Sequence, residues 1–257
     1  MRLDVFLTEN GYYSSRNKAA EAIERGEVTY NGKTVKPSKE ISDETLIKIE
    51  KNENSFVSNG GYKLDKILRE TGFDCKGLTF ADLGASNGGF TDCLIKRGAA
   101  KVYCVDVGES QLDKSLENSG KVVIMDNTNA RYLDKNSFPC VIDAVTADLS
   151  FISLELIIPS VKKILKAGGA AFLLIKPQFE CGREYLNKNG LVTNVKVRKR
   201  AVEKIYNFSI KCGFLPIFIT TAPLRDKKNV EYVIMLENNE SVTPKPFNEL
   251  FGELYNL

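Results

Sequence analysis

From residue 78 to residue 236 the chain alternates short apolar runs with segments of helical periodicity, and this alternation limits the possible folds more than any other feature. The apolar runs are 78–83, 101–105, 122–125, 144–147, 170–175, 216–220 and 230–236, with helical segments such as 89–97, 154–165 and 197–212 between them. Strands that are apolar on both faces need cover on both faces, and intervening helices supply it. The pattern predicts an α/β fold with a doubly wound, Rossmann-like parallel sheet. The last two runs lie close in sequence and should form an antiparallel hairpin at one edge.

Residues 1–50 read as a separate small α+β unit. Leu3, Phe6 and Leu7 give a short amphipathic turn, and Ser14-Ser15 offers a cap for a helix over 18–25 carrying Ala19, Ala22 and Ile23. Gly26 stops that helix. Residues 28–30 and 34–35 should pair as a hairpin around Asn31-Gly32, with a last strand at 45–49. Residues 51–59 are expected to be a linker, 60–240 the larger domain, and 241–257 an extension. In that extension Phe247, Leu250, Phe251 and Leu254 fall at helical spacing, to pack on the core or on a partner chain.

The chain has no histidine, so serine–histidine triads, histidine-ligated zinc and histidine bases are all excluded, and no metal site is expected. Six cysteines with no close pair read as reduced thiols. No secretory leader and no apolar run of spanning length is recognisable, so a cytoplasmic chain without stable membrane association is expected. A net charge of +3 permits a nucleic-acid partner without requiring one.

The first long apolar run ends in Asp82-Leu83-Gly84-Ala85-Ser86-Asn87-Gly88-Gly89-Phe90. Glycines at a strand-to-helix turn let the backbone approach a nucleotide, and helix amides face the ligand. The next run ends in Asp106-Val107, where a carboxylate can meet ribose hydroxyls, and the third in Asp126-Asn127, near an adenine edge. Three acidic strand ends around one glycine turn would repel a pyrophosphate. They favour S-adenosyl-L-methionine over NAD as cofactor.

Four more polar residues stand at segment ends: Lys63, Asp148, Lys176 and Glu231. Lys176 closes the apolar run 171–175 just before Pro177, where desolvation, with Lys63 as a second cation, is expected to make it easier to deprotonate. A neutral amine there can take the proton from an attacking ribose 2′-hydroxyl.

These residues and several stretches give the chain a family resemblance. Arg2-Leu3-Asp4, Ser15-Arg16-Asn17-Lys18-Ala19, Gly60-Gly61-Tyr62-Lys63-Leu64, residues 82–92, Thr128-Asn129-Ala130-Arg131, Asp148-Leu149-Ser150-Phe151-Ile152-Ser153-Leu154, Lys176-Pro177-Gln178-Phe179-Glu180 and Asn229-Val230-Glu231-Tyr232 carry it. The chain resembles the TlyA-type family, haemolysin-named ribosomal RNA 2′-O-methyltransferases acting on cytidine, with an FtsJ-like catalytic domain. The resemblance implies a Lys-Asp-Lys-Glu tetrad at Lys63, Asp148, Lys176 and Glu231, with Asp148 also beside the cofactor. It also implies an S-four-type (αL) RNA-binding domain over residues 1–50, and ribosomal RNA or ribosomal subunits as partner. Asn59 and Asn87 stand where the family commonly has arginine and threonine.

The small unit carries eight basic and nine acidic residues, so charge alone would describe a solvated surface. The resemblance assigns Arg2, Arg16 and Lys18 to RNA contact, and a second candidate is the basic helix start with Arg198, Lys199 and Arg200. Two other functions stay open at this point: a membrane-active haemolysin, and a non-catalytic RNA-binding or ribosome assembly factor.

Overall fold

The computed structural model describes residues 1–13, 15–50, 55–109, 111–225, 227–252 and 254. Ser14, residues 51–54 of the expected linker and the end of the tail lie outside the described residues. The chain divides into two compact units, Met1–Asn59 and Gly60–Leu257.

The first unit packs helices α1 (Leu3–Glu9) and α2 (Arg16–Glu24) against a two-stranded antiparallel sheet, β1 (Val28–Tyr30) and β2 (Ile47–Ile49). Leu3, Phe6, Leu7, Ala19, Ala22, Ile23 and Val28 form its core, so the helical spacing of the apolar residues translates directly into burial. Ser15 caps α2 by accepting the Lys18 N–H at 3.3 Å. The expected hairpin changes partner. Asn31 and Gly32 adopt the left-handed turn and Tyr30 bridges Lys33, but β1 then pairs with β2, Val28 opposite Ile49, instead of residues 34–35.

The second unit, from Gly60, holds all but the first residue of helix α3 (Asn59–Thr71) and builds a seven-stranded sheet. Its strands are β3 (Thr79–Leu83), β4 (Lys101–Val105), β5 (Val122–Met125), β6 (Ile142–Ala147), β7 (Leu165–Ile175), β8 (Leu215–Thr221) and β9 (Tyr232–Glu237). Helices α4 (Gly89–Lys96), α5 (Lys114–Glu117), α6 (Ile158–Ile164), α7 (Pro177–Glu180), α8 (Val195–Lys211) and α9 (Phe247–Phe251) connect or follow them. The order is β5-β4-β3-β6-β7-β9-β8, parallel from β5 to β7 and antiparallel for both pairings of β9. Strand order reverses between β3 and β6, which places the ligand crevice at the carboxyl ends of the central strands.

Ala81, Leu83, Val145, Ala147, Ala171, Leu173 and Ile175 pack in the core with Ile158, Val161, Val202 and Ile205 from the helices. The helix expected over 154–165 splits into a 3-10 turn, Leu154–Leu156, and α6. Pro159 is responsible: it has no N–H for the preceding turn but suits the first turn of a new helix. In the tail, Phe247 and Phe251 lie in the core, stacked 5.1 Å apart.

Candidate active site

The glycine turn after β3 is shaped by close approach. Gly84 sits at φ +80°, and a Cβ there would lie 2.9 Å from both the Asp148 carbonyl oxygen and a Leu149 methyl. Gly88 at φ +88° caps α4, and Ser86 also takes a left-handed angle, at +49°. The Ser86 N–H donates to Asp106 Oδ2 at 2.9 Å and the Gly108 N–H to Oδ1 at 3.1 Å. Two backbone donors therefore hold the Asp106 carboxylate at the rim of the turn, with lone pairs left for ligand hydroxyls. Val107 beside it is 63% exposed, an apolar surface at the same rim. Asn127, at φ +51°, donates its N–H to the Gly108 carbonyl, which ties the β5 end carrying Asp126 to the β4 end.

Asp82, Gly89 and Phe90, also expected at the ligand, are buried, as are Ala85 and Gly88 of the same turn. Both Asp82 oxygens accept hydroxyl hydrogen bonds, from Thr91 at 2.7 Å and Thr146 at 2.9 Å. Complete burial pushes the Asp82 carboxyl up to about 6, and the two threonine hydroxyls moderate that rise. Asp82 thus braces the turn from beneath.

The four segment-end residues converge. Lys63 comes from α3, Asp148 from the end of β6, Lys176 from the end of β7, and Glu231 from the residue before β9. Lys176 Nζ is 2.6 Å from Asp148 Oδ1, Lys63 Nζ is 3.2 Å from Asp148 Oδ2, and Lys63 Nζ is 2.7 Å from Glu231 Oε2. The Lys176 side chain is 9% exposed and the other three between 17% and 20%, enough for a reactant to reach them. Burial opposes charge on Asp148, but Lys63 and Lys176 outweigh it and hold the carboxyl below its usual range. Burial likewise opposes charge on Lys63, and Asp148 with Glu231 reverses that, so Lys63 keeps its proton more firmly than a free lysine.

Sequence reasoning quoted Ser150, Ser153 and Glu180 within the motifs but gave no role to them beside this chain of charges. Lys176 Nζ donates to Ser150 Oγ at 2.9 Å. Glu180 is buried, accepting from Ser153 Oγ at 2.6 Å and the Leu154 N–H at 2.8 Å, with Lys204 Nζ at 3.3 Å. Burial raises its carboxyl, partly offset by those donors. Between them Phe151 adopts φ +63°, a strained angle for a bulky residue, and its ring is 91% exposed, tilted against Phe179 at 5.1 Å.

In the small unit, buried Asp4 accepts from Arg2 at 2.8 and 2.9 Å and from Arg16 at 3.3 Å. Arg2, Asp4, Ser15, Arg16, Asn17 and Ala20 line an open groove there, with Lys18 on the same helix start. The second basic candidate needs correction. Arg198 is only 7% exposed and donates to the Val192 and Thr193 carbonyls, so it holds a loop instead of facing a partner. Ala201, Val202 and Ile205, three, four and seven positions on, mark the same face as buried, and that spacing was readable. Lys199 donates to Asn248 at 2.9 Å, and Arg200 is exposed.

Comparison with known proteins agrees with the two units and the sheet. The FtsJ-like methyltransferase model matches residues 56–238, and an S4 domain model matches residues 1–47. The chain is 37% identical over 238 residues to the 16S/23S rRNA (cytidine-2′-O)-methyltransferase TlyA of Mycobacterium tuberculosis, covering 91% of this chain and 89% of that protein. It is 38% identical to Hemolysin A of Brachyspira hyodysenteriae, covering 91% and 98%. A solved structure from Streptococcus thermophilus, described as a hemolysin candidate, superposes with a TM-score of 0.76 at 32% identity, covering 100% of this chain and 96% of that one. Among the described residues no helix is long and apolar enough to cross a membrane. The chain therefore belongs to the FtsJ-like methyltransferase family, with an S4 domain at its N-terminus.

Proposed function

We propose that this chain transfers the methyl group of S-adenosylmethionine to the 2′-hydroxyl of a cytidine in ribosomal RNA, with Lys176 as general base. The observation that carries this reading is the unbroken run of ion pairs from Lys176 through Asp148 and Lys63 to Glu231, at the carboxyl end of a methyltransferase sheet. The donor set of the neighbouring turn fits the cofactor. Asp106, held by two backbone N–H groups, suits ribose hydroxyls, and Asp126-Asn127 with Val107 suits an adenine. Gly84, Ala85, Ser86, Asn87 and Gly88 form the strand-to-helix turn that would face the rest of the cofactor. Bound there, S-adenosylmethionine would supply an electrophilic sulfonium methyl whose leaving group is a neutral thioether.

The protein residues then have separate tasks. Lys176 accepts the hydroxyl proton at Nζ while Asp148 holds the amine in place. Asp148 and Glu231 make Lys63 harder to deprotonate, which suits it to orient those carboxylates while Lys176 acts as the base. The exposed Phe151 ring offers a stacking face for a base drawn out of its helix, which suits a nucleotide inside folded RNA. Arg2, Arg16 and Lys18 of the S4 unit supply the phosphate contacts, with Arg200 a second candidate. A reaction on ribosomal RNA places the chain in the cytoplasm, with residues 1–50 as the RNA-binding domain joined through 51–59 to the catalytic domain.

The test is methyl transfer in vitro. Purified chain, tritiated S-adenosylmethionine and isolated ribosomal subunits should yield label that co-migrates with 2′-O-methylcytidine after nuclease digestion. Label on a base, or no label on either subunit, would contradict the reading.

A further inference from the structure

Lysine 176 touches two acceptors, and they are not equivalent. Asp148 Oδ1 is nearer, at 2.6 Å, and supplies the opposite charge. Yet that buried oxygen meets the amine outside the usual hydrogen-bond angles, so their contact is chiefly electrostatic. The aligned bond runs instead from Lys176 Nζ to Ser150 Oγ, at 2.9 Å. Coulomb attraction of a carboxylate for an amine is nearly indifferent to rotation about the terminal carbon–nitrogen bond, whereas a hydrogen bond is directional.

From this difference we infer that Ser150 is a positioning residue for the base: its hydroxyl sets the rotation of the Lys176 amine, while Asp148 sets only its place. The inference rests on the reading of Lys176 as the base. A neutral amine has two N–H groups and one lone pair. With one N–H committed to Ser150 Oγ and the other on the Asp148 side, the lone pair is left for the ribose hydroxyl that loses its proton to Nζ. Without Ser150 the amine can rotate, and the lone pair samples directions that do not face the substrate.

The backbone around Ser150 is built to hold that hydroxyl still. Upstream, the Asp148 N–H donates to the Leu83 carbonyl at 3.1 Å, and the Asp148 carbonyl packs close to Gly84, 2.9 Å from where a Cβ would stand. Downstream, Phe151 takes its left-handed angle, and Glu180 then grips Ser153 Oγ and the Leu154 N–H. Ser150 itself is exposed, so its hydroxyl stands where Lys176 meets the reactant.

The experiment is steady-state methyl transfer to ribosomal subunits by wild type, Ser150→Ala and Ser150→Thr. Ser150→Ala should lower kcat about tenfold, the scale of one lost orienting hydrogen bond, with KM for subunits and for S-adenosylmethionine unchanged. Ser150→Thr, which keeps the hydroxyl, should recover most of that loss. A wild-type kcat in Ser150→Ala, a change confined to KM, or equal losses in both variants would overturn the inference. No transfer by the wild type would overturn both this inference and the reading it rests on; transfer by the wild type with an unaffected Ser150→Ala would overturn the inference alone.

Discussion

Asp148 and Lys63 are 85 positions apart in the chain, yet Asp148 Oδ2 lies 3.2 Å from Lys63 Nζ while its other oxygen faces Lys176 at 2.6 Å. One carboxylate thus serves two amines of different standing. Lys63 is shared with Glu231 and held protonated; Lys176 has no second carboxylate among its described ion pairs. The division of labour proposed for the two lysines rests on that asymmetry. Lys176→Met, which keeps the stem and removes the amine, should lower kcat by at least about a hundredfold, the usual scale for losing a general base. Affinity for S-adenosylhomocysteine, measured by calorimetry, should stay within about twofold, since the glycine turn is untouched.

Glu180 should matter to catalysis without approaching the reactants. It holds the far end of the loop that carries Ser150 and Phe151 and also binds Lys204. Glu180→Gln halves its accepting capacity and removes its charge. Unfolding in urea should show a loss of about 1–2 kcal/mol, and kcat should fall severalfold with cofactor affinity preserved. A stability loss with unchanged kcat would separate the loop from the chemistry.

Asp82 makes stability depend on pH in the direction opposite to an ion-paired acid. Burial raises its carboxyl to about 6, so between about pH 4 and 6 the folded chain keeps a proton that the unfolded chain has lost. Stability contributed by this group is therefore lost as pH rises through that window, on the order of 2–3 kcal/mol. Asp82→Asn removes the titration, and the Thr91 and Thr146 hydroxyls can rotate to suit an amide. Relative to wild type, the variant should gain stability between pH 4.5 and pH 7 in urea unfolding. A constant difference across that range would show that the buried carboxyl does not titrate as described.

In the S4 unit, Asp4 gathers Arg2 and Arg16 at one groove. If that groove follows an RNA backbone, Arg16→Ala should weaken binding to ribosomal RNA. It should also reduce the slope of log affinity against log salt by about one, measured with a labelled RNA across several salt concentrations. Arg198→Ala should instead reduce stability, because that guanidinium supports the 192–193 backbone from inside.

The sheet was legible because β3, β4, β6 and the second half of β7 are largely buried and so read as plain apolar runs; the glycine turn and Lys176 could be singled out because both sit at strand ends. Helix α3 was equally open to reading, since Gly61, Leu64, Ile67 and Leu68 repeat at helical spacing and are buried. What spacing cannot reveal is which amine a carboxylate meets across the sheet. The roles of Ser150, Glu180 and Asp4 exist only once distant segments pack. Arg198 shows the converse error, a charge run read without asking which helix face it occupied.

The central claim is a ribose methyl group placed on ribosomal RNA by Lys176-dependent chemistry. Mass-spectrometric mapping of 2′-O-methylated nucleotides should compare ribosomal RNA from cells carrying the wild-type gene, lacking it, or carrying Lys176→Met. At least one 2′-O-methylcytidine should be present in the first and absent from both others. An identical set of ribose methyl groups in all three would contradict the claim.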